Sequence, residues 1–231
     1  MTYNNSSNIE ITQWINILTK LQIPFYIYKL RIHDSIIYKP ENFREKIIIL
    51  LEGSIYLQKI FNNNESICIG ILHKNTLINS SYDHNYINQL SYYYQIVSLS
   101  TTYIISFHNC NLLTNNTDIY LLLLKLNKAY NQSLAAYENM IHIMTHKYIK
   151  YRTIQLILLL CKEKSITKSN KILIRLSINQ SSIGEIVGSN KNTINKIIQN
   201  LQKQQIIKYC NHNKMIIIND IIALNKFKFT E

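Results

Sequence analysis

The chain has 231 residues, of which 47% are hydrophobic, enough to build the cores of two small domains. Its formal net charge is +12, and the basicity is uneven: residues 147–231 hold 15 Lys and Arg against 4 Asp and Glu, whereas residues 1–146 hold 10 against 9. A run of about 20 uninterrupted apolar residues is absent from the sequence, which excludes a membrane-spanning helix, and no basic amphipathic helix presents large apolar residues, so no membrane partner is expected. Cys68, Cys110, Cys161 and Cys210 lie too far apart to frame a disulfide scaffold, a zinc site or an iron-sulfur cluster.

Met1 to Asn8 is polar and lacks the Arg-rich amphipathic pattern of a transit peptide. Ile11, Trp14, Ile15 and Leu18 then fall on one face of a short helix over 9–21. From Phe25 to about Phe107 the pattern changes to short runs of β-branched and aromatic residues separated by turns: 25–30, 36–38, 46–51, 54–60, 66–72, 92–99 and 103–106. So many short strands at this spacing predict a sandwich or barrel, and the turn at Phe61-Asn62-Asn63-Asn64-Glu65 predicts its clearest hairpin. The domain boundaries expected are 1–115 for this strand-rich part, 116–150 for a long helix and 151–231 for a basic C-terminal domain.

Along the long helix, Tyr120, Leu123, Asn127, Tyr130, Leu134, Tyr137, Ile141, Met144 and Tyr148 repeat at alternating steps of three and four, a heptad seam. Such a seam packs either on the chain's own barrel or on a second copy. Its persistence for four heptads favours a parallel homodimer joined through Tyr130, Leu134, Tyr137, Ile141 and Met144. A further apolar helix over 152–161 and a polar connection over 162–171 follow.

Residues 179–202 predict a helix-turn-helix. Asn179 can cap a first helix whose apolar face is Ile183, Ile186 and Val187, and Gly188 supplies the positive φ that ends it. Gly184, lacking a Cβ, lets a second helix approach. Ser189 or Asn190 caps that second helix, and Ile194, Ile197, Ile198 and Leu201 form its buried stripe. The polar residues left over are those expected to meet double-stranded DNA: Gln180, Ser181, Ser189, Asn190, Lys191, Asn192, Thr193, Asn195 and Lys196. Two short apolar runs, 204–209 and 214–218, read as the hairpin of a winged helix, and the basic C-terminal third is the electrostatic footprint of a phosphate-binding module.

The order strand-rich domain, long helix, winged helix-turn-helix resembles the Crp-Fnr family of bacterial transcription regulators over roughly Lys39 to Leu224. Leu51-Glu52-Gly53 is similar to a strand-turn of the family's effector-binding β-roll. Thr145-His146-Lys147 through Arg152, then Leu158-Leu159-Leu160-Cys161-Lys162, Leu176-Ser177 and 183–201 are most similar to the cyanobacterial global nitrogen regulators within that family. The resemblance implies an α+β fold: an N-terminal β-roll (a double-stranded β-helix like that of cyclic-nucleotide-binding domains), a long dimerisation helix and a C-terminal winged helix-turn-helix. It also implies a dimeric, nitrogen-control activator that reads DNA and engages RNA polymerase. The bias toward Ile, Asn, Lys and Tyr points to a compositionally drifted genome, and a plastid-encoded red-algal descendant acting in the stroma would account for it; a bacterial-type cytoplasm is the other setting.

In the family an arginine stands where this chain has Lys191, a threonine where it has Thr193 and another arginine where it has Lys196. Lysine keeps the charge but lacks the planar fork that grips two guanine atoms, so phosphate affinity is expected to outlast base discrimination. Asn192 departs from the family's Glu or Val. The inherited effector region is Ile78, Asn79, Ser80, Ser81, Tyr92, Ser133 and Glu138. The stretch 77–94 has neither Gly nor Arg, so no cyclic nucleotide is expected. The effector that the resemblance implies is 2-oxoglutarate, yet Tyr92 and Ser133 stand where carboxylate-gripping arginines belong, and only Glu138 matches. His73, Lys74 or His84 are the candidates to replace that charge. No cofactor is otherwise expected. His33, His73, His84 and His108 are too scattered for a metal site or an enzyme, and the alternative to sequence-specific regulation is a low-specificity nucleoid-type DNA binder.

Overall fold

The computed structural model describes residues 5–39, 46–78, 92–108, 117–168, 171–174, 178–210 and 215–227. The chain forms two compact units, one of Met1–Glu65 with Ile69–Glu138, the other of Ser66–Cys68 with Asn139–Glu231.

In the first unit, helix α1 (Asn5–Lys20) precedes strands β1 (Phe25–Leu30), β2 (Ser35–Tyr38), β3 (Lys46–Glu52), β4 (Ser54–Phe61), β5 (Ser66–His73), β6 (Thr76–Leu77), β7 (Tyr92–Ser98) and β8 (Thr102–His108), and helix α2 (Thr117–Thr145) follows. The strands make two four-stranded sheets, ordered β1-β8-β3-β6 and β2-β7-β4-β5. Strand β3 shows why the chain closes into a roll. Its run of apolar residues is buried on both faces: Ile47, Ile49 and Leu51 join Trp14 and Leu18 of α1 and Leu122 and Ala129 of α2, while Ile48 and Leu50 join Ile55, Leu57, Tyr94 and Ile96. Period-two alternation therefore serves two cores at once. Antiparallel registers such as Ile49↔Ile105 and Leu57↔Ile96 keep both sets in phase.

Helix α2 ends at Thr145, short of the expected Lys150, and α3 (Ile149–Lys164) starts after a break. The break follows from side-chain competition for carbonyls: Thr145 Oγ1 donates to His142 O at 2.7 Å, and Arg152 Nε reaches back to His146 O at 2.8 Å. Tyr148 consequently leaves the seam. Tyr137 leaves it too. Its ring packs so close to Gly70 that a Cβ there would lie 2.7 Å away, and its hydroxyl donates to Ile78 O at 3.3 Å. The stripe that α2 buries is a different one, Ile119, Leu122, Ala129, Ser133, Met140 and Ile143. Tyr120, Leu123, Tyr130, Leu134 and Ile141 remain exposed, Tyr120 and Ile141 at 65% each, and Met144 is half-buried.

The second unit contains α3, β9 (Ser165–Lys168), β10 (Lys171–Ile174), α4 (Gln180–Val187), α5 (Lys191–Lys203), β11 (Ile207–Cys210), β12 (Met215–Ile218) and α6 (Ile221–Lys226). The wing hairpin is half of a larger sheet, ordered β11-β12-β10-β9. A polar connection was expected over 162–171; residues 162–168 instead finish α3 and supply β9, and Lys171 opens β10. An edge strand pairs through its backbone with one neighbour, here Leu173↔Ile166, and so needs no apolar alternation to announce it. Leu156, Leu160, Ile183, Ile186, Ile194 and Leu201 are all at most 1% exposed and make the core of this unit.

Candidate nucleic-acid interface

Two asparagines set the helix starts. Asn179 Oδ1 accepts from Ser182 N at 2.7 Å and caps α4; Asn190, rather than Ser189, caps α5 by accepting from Thr193 N at 2.8 Å. Between them Gly188 adopts the left-handed conformation, φ 73 and ψ 48, and the Ser189 amide returns to Gly184 O at 2.8 Å. Gly184 has a separate task. A Cβ there would stand 2.6 Å from Ser189 O, so only glycine lets the turn pass across α4 at this distance.

These constraints orient α5. Ile194, Ile197, Ile198 and Leu201 are buried, and the 3.6-residue period turns Asn192, Lys196, Gln199 and Lys203 directly away from them, all exposed. Lys191 is also exposed, whereas Thr193 and Asn195 are half-buried on the flanks. Ser181 and Asn190 are exposed; Gln180 and Ser189 are half-buried. Gln180, Ser181, Lys191, Asn195, Gln199 and Tyr209 border an open cleft of about 560 Å³ beside the exposed face of α5. Within it Gln180 Nε2 donates to Asn195 Oδ1 at 3.3 Å, and the Tyr209 hydroxyl donates to Ile178 O at 3.1 Å. Burial pushes the Tyr209 phenol above its ordinary pKa, so it stays a neutral donor. Gln199 belongs to the polar face expected of a recognition helix and stands two turns beyond Asn192. Lys203 and Tyr209 were not among the residues expected to meet DNA; Lys203 was within reach of the helical period. Tyr209 is brought there only by the pairing of the wing.

Of the inherited effector residues, Ser133 and Tyr92 make contacts within their own unit. Ser133 is fully buried, and its hydroxyl accepts from the Leu77 amide at 2.8 Å while donating to the carbonyl of Leu77 or Ala129, at 2.8 and 2.9 Å. Tyr92 packs edge-on to Tyr94 at 5.4 Å, with the Lys59 ammonium 4.7 Å from its ring centre, and Tyr94 lies 5.3 Å from Tyr38. Ile78 is buried and Glu138 exposed. Asn79, Ser80, Ser81 and His84 lie outside the described residues. His73 Nδ1 is hydrogen-bonded to Ser54 Oγ at 2.9 Å. The cation nearest these tyrosines in the described contacts is thus Lys59, a residue the sequence did not single out. Among the described residues no group of three or more His, Cys, Asp and Glu could hold a metal ion, and no helix is long and apolar enough to cross a membrane.

Residues 151–227 match the model of the Crp-like helix-turn-helix domain. A protein of the red alga Porphyra purpurea named as the HTH-type transcriptional regulator ycf28 is 27% identical over 95% of this chain and 89% of its own length. The global nitrogen regulator of Nostoc sp. is 21% identical over 84% of this chain and 85% of its own. Among solved structures, a CooA variant from Carboxydothermus hydrogenoformans superposes with a TM-score of 0.69 at 14% identity, covering 90% of this chain and 89% of that one. That likeness is one of fold: a strand-rich N-terminal domain, a long helix and a C-terminal helix-turn-helix in the same chain order. Residues 151–227, which carry α4, α5 and the wing, are accordingly similar to the Crp-like helix-turn-helix domain.

Proposed function

We propose that the protein is a homodimeric, sequence-specific DNA-binding regulator of the nitrogen-control type, encoded and active in a plastid, which activates genes by holding RNA polymerase at its sites. The carrying observation is the exposed face of α5, where Asn192, Lys196, Gln199 and Lys203 stand opposite a fully apolar stripe in a strongly basic domain. A helix so built offers charge to phosphates and carboxamides to base edges. The exposed apolar seam of α2 supports the dimer, since a second copy would remove Leu134 and Ile141 from water. Two recognition helices would then meet half-sites spaced by about one helical turn, ~34 Å. Nitrogen control and the plastid setting rest on the relatives.

The buried contacts of Ser133 favour DNA binding that does not depend on 2-oxoglutarate. A hydroxyl committed to Leu77 and Ala129 offers no positive charge, and a buried dicarboxylate needs one. Titrating a two-fold duplex and a scrambled control with and without 2-oxoglutarate tests both parts. Specific binding unchanged by the metabolite is expected. Tightening by the metabolite would restore a sensor, and equal affinity for both duplexes would leave a nucleoid-type binder.

A further inference from the structure

We propose that the carboxamides of Gln180 and Asn195 form one reading unit for an adenine in the target DNA, an inference that rests on the DNA-binding reading above. Gln180 opens α4, Asn195 lies in the second turn of α5, and the two are joined across the cleft by a 3.3 Å hydrogen bond from Gln180 Nε2 to Asn195 Oδ1. That bond uses one hydrogen of the first amide and one lone pair of the second. It leaves the Gln180 oxygen as an acceptor and the Asn195 amino group as a donor. Exchanging oxygen and nitrogen on both side chains reverses the bond but leaves the same complement, an acceptor on one residue and a donor on the other.

Adenine presents the matching pair at its major-groove edge, the N6 amino group as donor and N7 as acceptor. Guanine presents two acceptors, O6 and N7, and one of them would face the acceptor of the pair with no proton between them. A single Asn or Gln can also make the adenine contact, but it must first be ordered from several rotamers. Here the mutual bond, together with the close α4–α5 packing that Gly184 permits, holds both amides before DNA arrives. Lys191 borders the same cleft and brings positive charge beside the unit. A lysine ammonium is a point charge, suited to a phosphate whatever base stands next to it.

The experiment selects duplexes from a library randomised across the half-site, using the full chain, and then titrates the selected site with each base substituted in turn. The wild type should prefer adenine at one position per half-site by about 5- to 150-fold over guanine, the range for a bidentate contact. Asn195→Asp keeps an acceptor for Gln180 and removes the donor, so it should abolish the preference at that position alone. Gln180→Ala should abolish it at the same position, and the double variant should be no less selective there than either single one. Asn200→Ala, exposed on another flank of α5, should leave it intact. Guanine at the affected position, or loss at different positions in the two variants, would overturn the unit. Specific binding with the adenine preference intact in both variants would also overturn it while leaving the DNA-binding reading in place. Binding no better than to random duplex would remove both.

Discussion

Lys196 stands on the side of α5 opposite Ile194 and Ile198, with its ammonium exposed. A lysine so placed contributes mainly to phosphates, so Lys196→Ala should weaken binding to specific and random duplexes alike. The slope of log K against log salt should flatten by ~1, the effect of one phosphate contact. An unchanged slope would place the recognition helix elsewhere. Tyr38 tests the other unit. Burial, with the phenols of Tyr94, Tyr137 and Tyr92 close by, raises its pKa above the ordinary value of about 10. Above that pH the unfolded chain has lost a proton that the folded chain keeps, so stability is whole below about pH 10 and falls as pH rises past it. Urea unfolding followed from neutral to strongly alkaline pH should show a shallower loss for Tyr38→Phe than for the wild type. Equal losses would trace alkaline sensitivity to other groups. Single residues with one job were legible in the sequence: Asn179 as a cap, Gly188 as a left-handed turn, Lys196 on a polar face. Ser133 was not, because its bonds to Leu77 join residues 56 positions apart.

The two glycines of the helix-turn-helix act in different ways. At Gly188 a Cβ would have ordinary room, with Met144 Cε at 3.7 Å, so substitution there meets only the cost of a positive φ, about 1 kcal/mol. At Gly184 the added carbon would strike the backbone oxygen of Ser189 at 2.6 Å, and backbone cannot swing aside. Gly184→Ala should therefore destabilise the basic unit by about 1–3 kcal/mol, the usual cost of overpacking, and weaken DNA binding as α4 and α5 part. Thermal unfolding and duplex titration would show it; a variant with wild-type melting and affinity would mean that the turn has slack. Element existence was readable because a short run of β-branched and apolar residues and a 3.6-residue period leave distinct patterns, as in β3 and α5. Element ends were less so: α2 stops at Thr145 because Thr145 and Arg152 take carbonyls, and the second of these is a contact across the break between two helices.

The whole molecule depends on which stripe of α2 meets which partner. One stripe is buried within its own units and a second, including Leu134 and Ile141, is left in water. Ile141→Asp should place a charge in the proposed dimer seam and halve the mass measured in solution. Unchanged mass would mean that the copies do not meet there. By itself the sequence determined the order of parts, the helix-turn-helix with its caps, and the concentration of charge in residues 147–231, because each rests on composition or on periodicity over neighbouring residues. Only the tertiary structure decided that Tyr137 turns inward to Gly70, that β9 and β10 extend the wing into a sheet, and that Gln180 meets Asn195 across a cleft bordered by Tyr209. Those are contacts between elements. Their partners are chosen by packing and by backbone pairing, and neither leaves a periodic mark on the chain.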